Sequence, residues 1–359
     1  MSMIFIQFRK IAISILLMHI FLISYSQTEI IQSNCQYDLN EIQFIYNVGY
    51  IVGDNGTILK SIDQGMTWSD ISTNAYILTK KNQKDERINL TSLHFINENK
   101  GFIIGEKKLI KTTDGGKTWA EVKDIIGEDI YFPTDNVGYI SKGLRFGESY
   151  SYKTSNGGKS WEKISCPNDE MTSIYFFDEN IGYMGGIGGQ IYITETAGRL
   201  WEKLDVATSL YPISAIYFKT PYEGFALNSK TGIASVLDGK KGTTLCLDTI
   251  TKLNKYRITW IDQGEFMYIY KDINFLNNKI GYAVGARQVY HKSGGRELGI
   301  LVTGDGGKSW FPLSNDKNET IFNSVSNSGI VVGERGTILK IDIDYILNKD
   351  YEIQLLLKK

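Results

Sequence analysis

An octapeptide that ends in tryptophan brings a carboxylate, hydroxyls and glycines together, and it recurs along the chain. One copy reads TTDGGKTW, from Thr112 to Trp119. Its aspartate could act as a general acid, its acidic turn could bind calcium, or the same residues could hold a tight turn by accepting backbone N–H bonds. The other four copies begin at Ser61, Thr154, Thr194 and Thr303.

The copies themselves separate these alternatives. The third position is aspartate in three copies, but it is Asn156 and Thr196 in the other two. A turn tolerates such replacements and a general acid does not. In a turn, the glycine supplies a positive φ and the tryptophan fills the gap between sheets. We therefore predict five structural boxes, whose members are Asp63, Gly65, Trp68, Asp114, Gly116, Trp119, Asn156, Gly158, Trp161, Gly198, Trp201, Asp305, Gly307 and Trp310.

A longer repeat contains these boxes. Upstream of each box, a glycine opens an apolar phrase such as GYIVGDNGTILK, and this phrase continues after the boxes fade. Seven anchor glycines mark the copies: Gly49, Gly101, Gly138, Gly182, Gly224, Gly281 and Gly329. Each copy divides into four short strands with alternating, β-branched sequence, which is typical of a propeller blade. We predict an all-β protein, a seven-bladed β-propeller of four-stranded antiparallel blades, with blades beginning near residues 38, 90, 128, 171, 212, 270 and 319.

The N-terminus predicts export. Arg9 and Lys10 precede an uncharged apolar run from Ile11 to Tyr25, which is shorter than the ~20 residues that span a bilayer. Small residues at Ser24 and Ser26 suit cleavage after Ser26. We predict a signal peptide at residues 1–26 and a single propeller domain at 27–359, located in the periplasm, at the cell surface or outside the cell, with no transmembrane span after cleavage.

Charge and composition argue against several classes of function. Without residues 1–26 the chain has 37 Lys and Arg against 40 Asp and Glu, so general nucleic-acid binding is disfavoured. Three cysteines, Cys35, Cys166 and Cys246, allow at most one disulfide bond. Since no His or Cys pair has metal-ligand spacing, we predict no metal and no cofactor.

Basic residues recur six positions after the anchor glycines, at the tips of the hairpins between second and third strands. Two copies have Asn55 and Gly188 there, and the others are basic, with Arg145 displaced by one place. Blade six enlarges its hairpin from Gly285 to Gly299. Together these sites define a predicted basic face, opposite the boxes: Lys107, Arg145, Lys230, Arg287, His291, Arg296 and Arg335.

We hypothesise that the basic face binds an acidic surface or peptide of another envelope or secreted protein, because arginine makes forked contacts with carboxylates. The alternative is that these are ordinary solvated turn tips. Neighbouring acids would then dilute any positive field: Asp54, Glu106, Glu148 and Glu334.

The boxes resemble the Asp boxes of bacterial neuraminidase repeats. The layout GYIVGDNGTILKSIDQGMTW is similar to the photosystem II stability/assembly factor family of seven-bladed propellers. The resemblance covers nearly the whole chain after the signal peptide, with the clearest boxes in blades one, two, three and six. It implies an exported or lumenal assembly factor that binds other proteins and is not an enzyme.

Sialidases share the boxes and the propeller, so a glycan-binding or sialidase-like protein is the alternative. Their chemistry requires an arginine cluster, a tyrosine nucleophile with a glutamate, and an aspartate acid. YRIT, from Tyr256 to Thr259, resembles their arginine motif. In sialidases that motif precedes the first box, whereas here four boxes precede it.

Two features of the chain remain open to alternatives. The aromatic segment from Thr251 to Asp272 is either a recognition surface or the outer strand of blade five followed by the inner strand of blade six. The last strand of blade seven comes either from Tyr351 to Lys359 or from Thr28 to Gln32. We favour the C-terminal segment, because each box elsewhere is followed directly by its own outer strand.

Overall fold

The computed structural model describes residues 28–75, 87–106, 108–142, 150–167, 170–204, 212–228, 232–237, 243–246, 266–289, 295–308, 310–313, 320–344 and 346–347. Within these ranges the chain forms 28 strands and three short 3-10 turns, Asp54–Gly56, Ser72–Ala75 and Glu334–Gly336. In the same residues, no helix is both long enough and apolar enough to span a membrane.

The strands pair into seven four-stranded sheets, which we number along the chain. Sheet one contains β2 (Leu39–Ile45), β3 (Val48–Gly53), β4 (Ile58–Ser61) and β5 (Ser69–Asp70). Sheet two contains β6 (Ser92–Phe95), β7 (Gly101–Gly105), β8 (Lys108–Thr112) and β9 (Ala120–Val122). Sheet three contains β10 (Asp129–Tyr131), β11 (Gly138–Ser141), β12 (Tyr150–Thr154) and β13 (Glu162–Ser165). Sheet four contains β14 (Met171–Phe176), β15 (Gly182–Gly186), β16 (Ile191–Thr194) and β17 (Glu202–Lys203).

The remaining sheets include the longest strands. Sheet five contains β18 (Ile213–Thr220), β19 (Glu223–Asn228), β20 (Gly232–Leu237) and β21 (Thr243–Cys246). Sheet six contains β22 (Phe266–Phe275), β23 (Gly281–Val289), β24 (Gly295–Thr303) and β25 (Phe311–Pro312). Sheet seven contains β26 (Phe322–Val325), β27 (Ile330–Gly333), β28 (Ile338–Ile341) and, from the start of the chain, β1 (Thr28–Ile31).

The sheets are arranged in a circle. The first strand of each sheet contacts the first strand of the next, and β26 of the last sheet contacts β2 of the first. Strands paired within each sheet are antiparallel throughout. The prediction of an all-β propeller of four-stranded antiparallel blades is therefore confirmed.

The N-terminal strand closes the circle. β1 pairs with β28 in antiparallel register from Thr28 opposite Ile341 to Ile31 opposite Ile338. Ile31 is buried against Leu39 and Ile338, so this strand joins the core between sheets seven and one. Our preference for the C-terminal segment was wrong, because β1 occupies the outer edge of β28. Residues 351–359 lie outside the described ranges.

The segment from Thr251 to Asp272 was assigned partly correctly. Its last residues belong to β22, the inner strand of sheet six, as one alternative predicted. The outer strand of sheet five is instead β21, which ends at Cys246, before the segment begins. Residues 251–265 lie outside the described ranges, so the recognition-surface alternative is untested.

Aromatic stacking joins consecutive sheets. The ring of Tyr50 in sheet one stacks on Phe95 in sheet two, with ring centroids 3.5 Å apart. Its hydroxyl donates to the carbonyl oxygens of Glu98 and Gly115. The pairs Tyr139–Phe176 and Tyr183–Phe218 repeat the same stacking at 3.6 Å. In sheets one, three and four, a tyrosine of the second strand thus holds the first strand of the following sheet.

The anchor glycines make room for these rings. A Cβ atom on Gly101 would lie 2.5 Å from the ring of Phe95, far inside van der Waals contact. Four other anchors face a phenylalanine of their own sheet in the same way: Gly49, Gly138, Gly182 and Gly281. Packing, and not backbone conformation, is what requires glycine at these four positions and at Gly101.

Candidate functional site

The boxes form the turns between the third and fourth strands. In the second box, the Thr112 hydroxyl donates to Asp114 at 2.8 Å and accepts from the Gly116 N–H at 2.9 Å. The other end of the turn is held by Thr118, whose N–H and hydroxyl both donate to the Asp114 carboxylate. These bonds, first among them that from the Thr118 hydroxyl, lower the pKa of Asp114 to about 2. Asp114 is therefore ionised at neutral pH and cannot serve as a general acid.

The turn survives without the carboxylate. In the fourth box Thr196 replaces aspartate, and its hydroxyl still accepts from the Leu200 N–H at 2.8 Å. The Gly198 N–H still donates to Thr194. In all five boxes the fifth residue is glycine with φ between +75° and +86°. The box is a hydrogen-bonded turn, in agreement with the structural interpretation.

The box tryptophans pack edge-on against a phenylalanine of the same sheet. The ring centroids of Phe44 and Trp68 are 5.8 Å apart, and the Trp68 indole N–H donates to the Gly65 carbonyl. Four further pairs have the same geometry, at 5.8 to 6.3 Å: Phe95–Trp119, Phe132–Trp161, Phe176–Trp201 and Phe275–Trp310.

Only part of the predicted basic face falls in the described residues. Arg335 is exposed, has φ +55°, and donates its backbone N–H to Asp38 at 2.9 Å. Asn55, at the equivalent tip of sheet one, has φ +54°. Arg287 and Arg296 lie in β23 and β24, opposite Glu297 and Gln288. The described residues do not show whether the basic face is assembled, since Lys107, Arg145, Lys230 and His291 lie outside them.

The axis of the circle contains a cavity of about 480 Å³ that sequence reasoning missed. Residues from the first strands of all seven sheets line it. Three of them are carboxylates at one structural level: Glu41, Asp129 and Asp272. Each faces the free edge of the strand that follows it around the circle.

The carboxylates join neighbouring sheets. Asp129 accepts from the Ser92 hydroxyl at 2.9 Å in sheet two and from the Ile174 N–H at 3.0 Å in sheet four. Asp272 accepts from both the hydroxyl of Ser324 and the N–H of Val325 in sheet seven. Because first strands of adjacent sheets do not pair with each other, these bonds satisfy backbone donors that would otherwise be unpaired.

Glu41 and the neighbouring residues complete this pattern. Glu41 accepts from the Leu93 N–H at 2.6 Å. In four of the first strands, a polar side chain near this level donates to a carbonyl of the next sheet. These bonds run from Asn40 to Leu90, from Thr172 to Ile213, from Ser214 to Tyr270 and from Asn323 to Leu39. Much of the polar wall is thus engaged in holding the sheets together.

The cavity perturbs the ionisable groups in its wall. Desolvation raises the pKa of Asp129 to about 6, and it also raises the pKa of Asp272 and, more strongly, of Glu41. Desolvation lowers the pKa of His94 to about 4. His94 begins an arc of rings that continues through Tyr131, Tyr175 and Tyr217, with centroids 5.0 to 6.0 Å apart.

Aligning the repeats on their anchor glycines shows which sequence position lies at the level of the cavity carboxylates. Nine residues before the anchor glycine stand Ser92, Asp129, Ser173, Ala215 and Asp272 in sheets two to six. Of these residues, Ser92 and Asp129 bond to each other across sheets, and Asp272 bonds to Ser324 of sheet seven. Aligning backward from the anchors, as well as forward to the hairpin tips, would have found them.

The described wall does not resemble a sialidase centre. Among the described residues that line the cavity, Lys271 is basic and no arginine is present. Tyr256–Thr259, which carried the resemblance to the arginine motif, lies outside the described ranges. In the described parts of the chain, no group of three His, Cys, Asp or Glu side chains could hold a metal ion.

Comparison with known proteins supports the resemblance to the assembly-factor family. The family model for photosynthesis system II assembly factor YCF48 matches residues 79–216. The solved structure of YCF48 bound to D1 peptide has a TM-score of 0.63 at 18% identity, covering 89% of this chain and 98% of that one. This chain resembles the YCF48 family. The recognition of assembly-factor-like repeats is confirmed.

Other structures show the same fold. YCF48 from Cyanidioschyzon merolae has a TM-score of 0.62 at 17% identity, over 89% of this chain and 100% of that one. The WD40 propeller domain of Doa1 has a TM-score of 0.60 at 11% identity, covering 90% of this chain and 99% of that one. No curated protein sequence matches this chain. At these identities the structures establish the propeller fold, and the YCF48 family match adds the repeat type.

Proposed function

We propose that this protein is an exported, non-catalytic, seven-bladed β-propeller that binds another protein as an assembly scaffold. The observation that carries the proposal is the YCF48 match over residues 79–216, together with the peptide held by a YCF48 of the same fold. The seven sheets and their closed circle of contacts support the blade count. The engagement of the box aspartates and cavity carboxylates in structural bonds supports a binding role.

The hairpin-tip face is the proposed binding surface. Arg335 is exposed there and is held in a left-handed turn by its bond to Asp38. Because the backbone of this turn is already fixed, it loses little backbone conformational entropy when a partner binds. Sheet six extends on the same side, since β23 continues eight residues past Gly281 while β19 ends four residues past Gly224. The four extra residues correspond to about 13 Å of strand.

Arg335 allows a test without backbone strain. Arg335→Asn should weaken binding of the partner about tenfold, because it removes a forked donor from the surface. Asn55 adopts the same positive φ at the equivalent turn, so asparagine fits the backbone. Arg335→Lys, which keeps the charge, should lose less affinity.

The measurement begins with residues 27–359 as bait for an envelope extract of the host, followed by calorimetry with the purified captured protein. Loss of affinity in Arg335→Asn, with a weaker loss in Arg335→Lys and an unchanged melting temperature, would support the proposal. If the wild type, Arg335→Asn and Arg335→Lys bind the partner equally well, Arg335 is not part of the binding surface and the proposed basic face is wrong. Turnover of a sialoside, or retention of glycans without any protein, would favour the carbohydrate alternative.

A further inference from the structure

The wall of the axial cavity is organised in levels. At the carboxylate level each sheet contributes one side chain, and these residues are Glu41, Ser92, Asp129, Ser173, Ala215, Asp272 and Ser324. Two residues farther along the strands, about 6–7 Å away, sheets two to five contribute the rings of His94, Tyr131, Tyr175 and Tyr217. A ligand in the cavity would therefore contact polar groups at one level and aromatic rings at the next.

The hydroxyl of Ser173 is unpaired at the carboxylate level. The serines at this level in sheets two and seven both donate to carboxylates, Ser92 to Asp129 and Ser324 to Asp272. Ser173 is 4% exposed, and no group in the described part of the chain pairs with its hydroxyl. A buried hydroxyl without a partner is costly, so a polar group from outside the chain would be stabilised there.

Sheet five leaves space beside this hydroxyl. Thr172, the residue before Ser173, donates to the carbonyl of Ile213, which holds the first strands of sheets four and five side by side. Ala215 lines the cavity at the same level and ends at its Cβ atom, where the other six sheets place a hydroxyl or a carboxylate. Tyr217 follows two residues later on the same strand, so its ring lies at the next level from this space.

The described wall of the cavity is acidic. Its charged residues are Glu41, Glu128, Asp129, Asp272 and Lys271. The Lys271 ammonium donates to Asn323 at 2.7 Å, and the carboxylates that interact with it are those of Asp38, Asp54 and Glu334, outside the wall. Burial, and then repulsion from Asp129 and Asp272, raise the pKa of Glu41. A positive charge inside the cavity would relieve this repulsion.

The aromatic level favours an organic cation over a metal ion. The Tyr175 hydroxyl donates to the Phe218 carbonyl at 2.9 Å, and the Tyr217 ring stacks on Phe275 with centroids 5.0 Å apart. These contacts fix the rings before any ligand arrives. Aromatic rings attract ammonium groups and also cover an apolar stem, whereas a metal ion prefers oxygen, nitrogen or sulfur ligands.

We propose that the axial cavity binds an organic ammonium group at the space beside Ser173 and Ala215. The Ser173 hydroxyl accepts a hydrogen bond from the ammonium, the cavity carboxylates provide the opposite charge, and the rings of Tyr175 and Tyr217 cover the alkyl stem. A free amine and the lysine side chain of another protein share this chemistry. The site is separate from the hairpin-tip surface and does not depend on the function proposed for it.

The first test compares a charged and a neutral probe on the whole protein, residues 27–359. n-Butylamine has the chemistry of a lysine side chain, and 1-butanol has nearly the same size without the charge. Saturation-transfer NMR titrations at neutral pH should show at least tenfold tighter binding of butylamine, because the carboxylates and rings act only on the cation.

Two serine variants test the position of the site. Ser173→Ala should weaken butylamine binding about tenfold, because it removes a hydrogen bond to a charged group. Its melting temperature should not fall, since the hydroxyl makes no bond to a described group in the free protein. Ser151→Ala is the matched control. Ser151 is also buried with an unpaired hydroxyl, but it lies in β12 outside the cavity wall, so this variant should bind like the wild type.

A third variant fills the proposed space. Ala215→Leu leaves every charge and ring of the wall in place, and it should abolish butylamine binding because its side chain occupies the room for the ligand. If Ala215→Leu fails to fold, the comparison of Ser173→Ala with Ser151→Ala decides. Arg335→Asn, at the hairpin tip, should bind butylamine normally, so the site can fail or hold independently of the proposed protein-binding surface.

The source of the ammonium is tested with the peptide acetyl-Ala-Lys-Ala-amide. Competition between this peptide and butylamine would support a lysine side chain as the ligand, and binding of butylamine alone would support a free amine. Three results would overturn the proposal: no butylamine binding up to about 10 mM, equal affinity for butylamine and 1-butanol, or equal butylamine affinity in the wild type and Ser173→Ala.

Discussion

Gly158→Ala should destabilise the folded protein by about 2–5 kcal/mol. The residue has φ +75°, where an L side chain costs about 1–2 kcal/mol, and its new Cβ would lie 2.2 Å from the ring of Phe102. Overpacking of this kind adds about 1–3 kcal/mol. Urea denaturation followed by tryptophan fluorescence would measure the loss.

The fourth box position provides the control for this prediction. Ala197 and Gln64 occupy it with φ +57° and +60°, so the chain already tolerates side chains there. Gly115→Ala, with its nearest contacts at 3.0 Å, should cost about 1 kcal/mol. If Gly115→Ala and Gly158→Ala proved equally destabilising, ring packing would not be the reason for the invariant glycine in the five boxes.

His94→Gln and Asp129→Asn should change the pH dependence of stability in opposite directions between pH 4 and 6. The folded pKa of His94, about 4, lies below its ordinary value of 6.5. Its contribution is therefore present above pH 6.5 and lost as the pH falls through 4. The folded pKa of Asp129, about 6, lies above 3.8, so its contribution is present below pH 3.8 and lost as the pH rises through 6.

Each contribution amounts to at most about 3 kcal/mol, at 1.36 kcal/mol per pKa unit. In the wild type the two contributions oppose each other between pH 4 and 6: that of His94 increases stability as the pH rises, and that of Asp129 decreases it. Without His94, stability should fall more steeply from pH 4 to 6; without Asp129, it should rise relative to the wild type. Glu41 and Asp272 remain in both variants, so the contrast between the two slopes is the quantity to measure.

The urea concentration at the midpoint of unfolding, measured at pH 4, 5 and 6 for the wild type and both variants, provides that contrast. Glutamine retains an amide that can donate where His94 donates to the Phe132 carbonyl. Parallel pH profiles in the two variants would show that desolvation in the cavity does not govern these groups.

The repeated local patterns were predictable because each copy repeats the same requirement. Asn156 and Thr196 showed within one sequence that the box position needs a hydrogen-bond acceptor and not an acid, and the bonds of Thr196 bear this out. The four strands per unit followed from alternation and turns. Local sequence is sufficient where the structure depends on neighbours in the chain.

Contacts between distant segments were not predictable in the same way. Asp129 follows Glu128 in a polar stretch that could equally be exposed, and nothing in the neighbouring sequence reveals that it accepts a bond from Ile174 in the next sheet. The closing strand is a second case, since both chain ends are apolar and either could have covered β28. Which end does so depends on where the circle brings the termini.

The pairing of β1 with β28 has a consequence for the order of folding. β1 is synthesised long before its partner β28, because Thr28 and Ile341 are far apart in the sequence. At roughly 5–20 residues per second, β1 therefore waits for tens of seconds before its edge can be covered. The residues of β1 are among the first of the described chain to be made and among the last to reach their native place. Thr28 and Ile341 are far apart in the sequence, and contacts between such distant residues form slowly. We therefore expect the pairing of β1 with β28, which closes the circle of sheets, to be the slow step of folding.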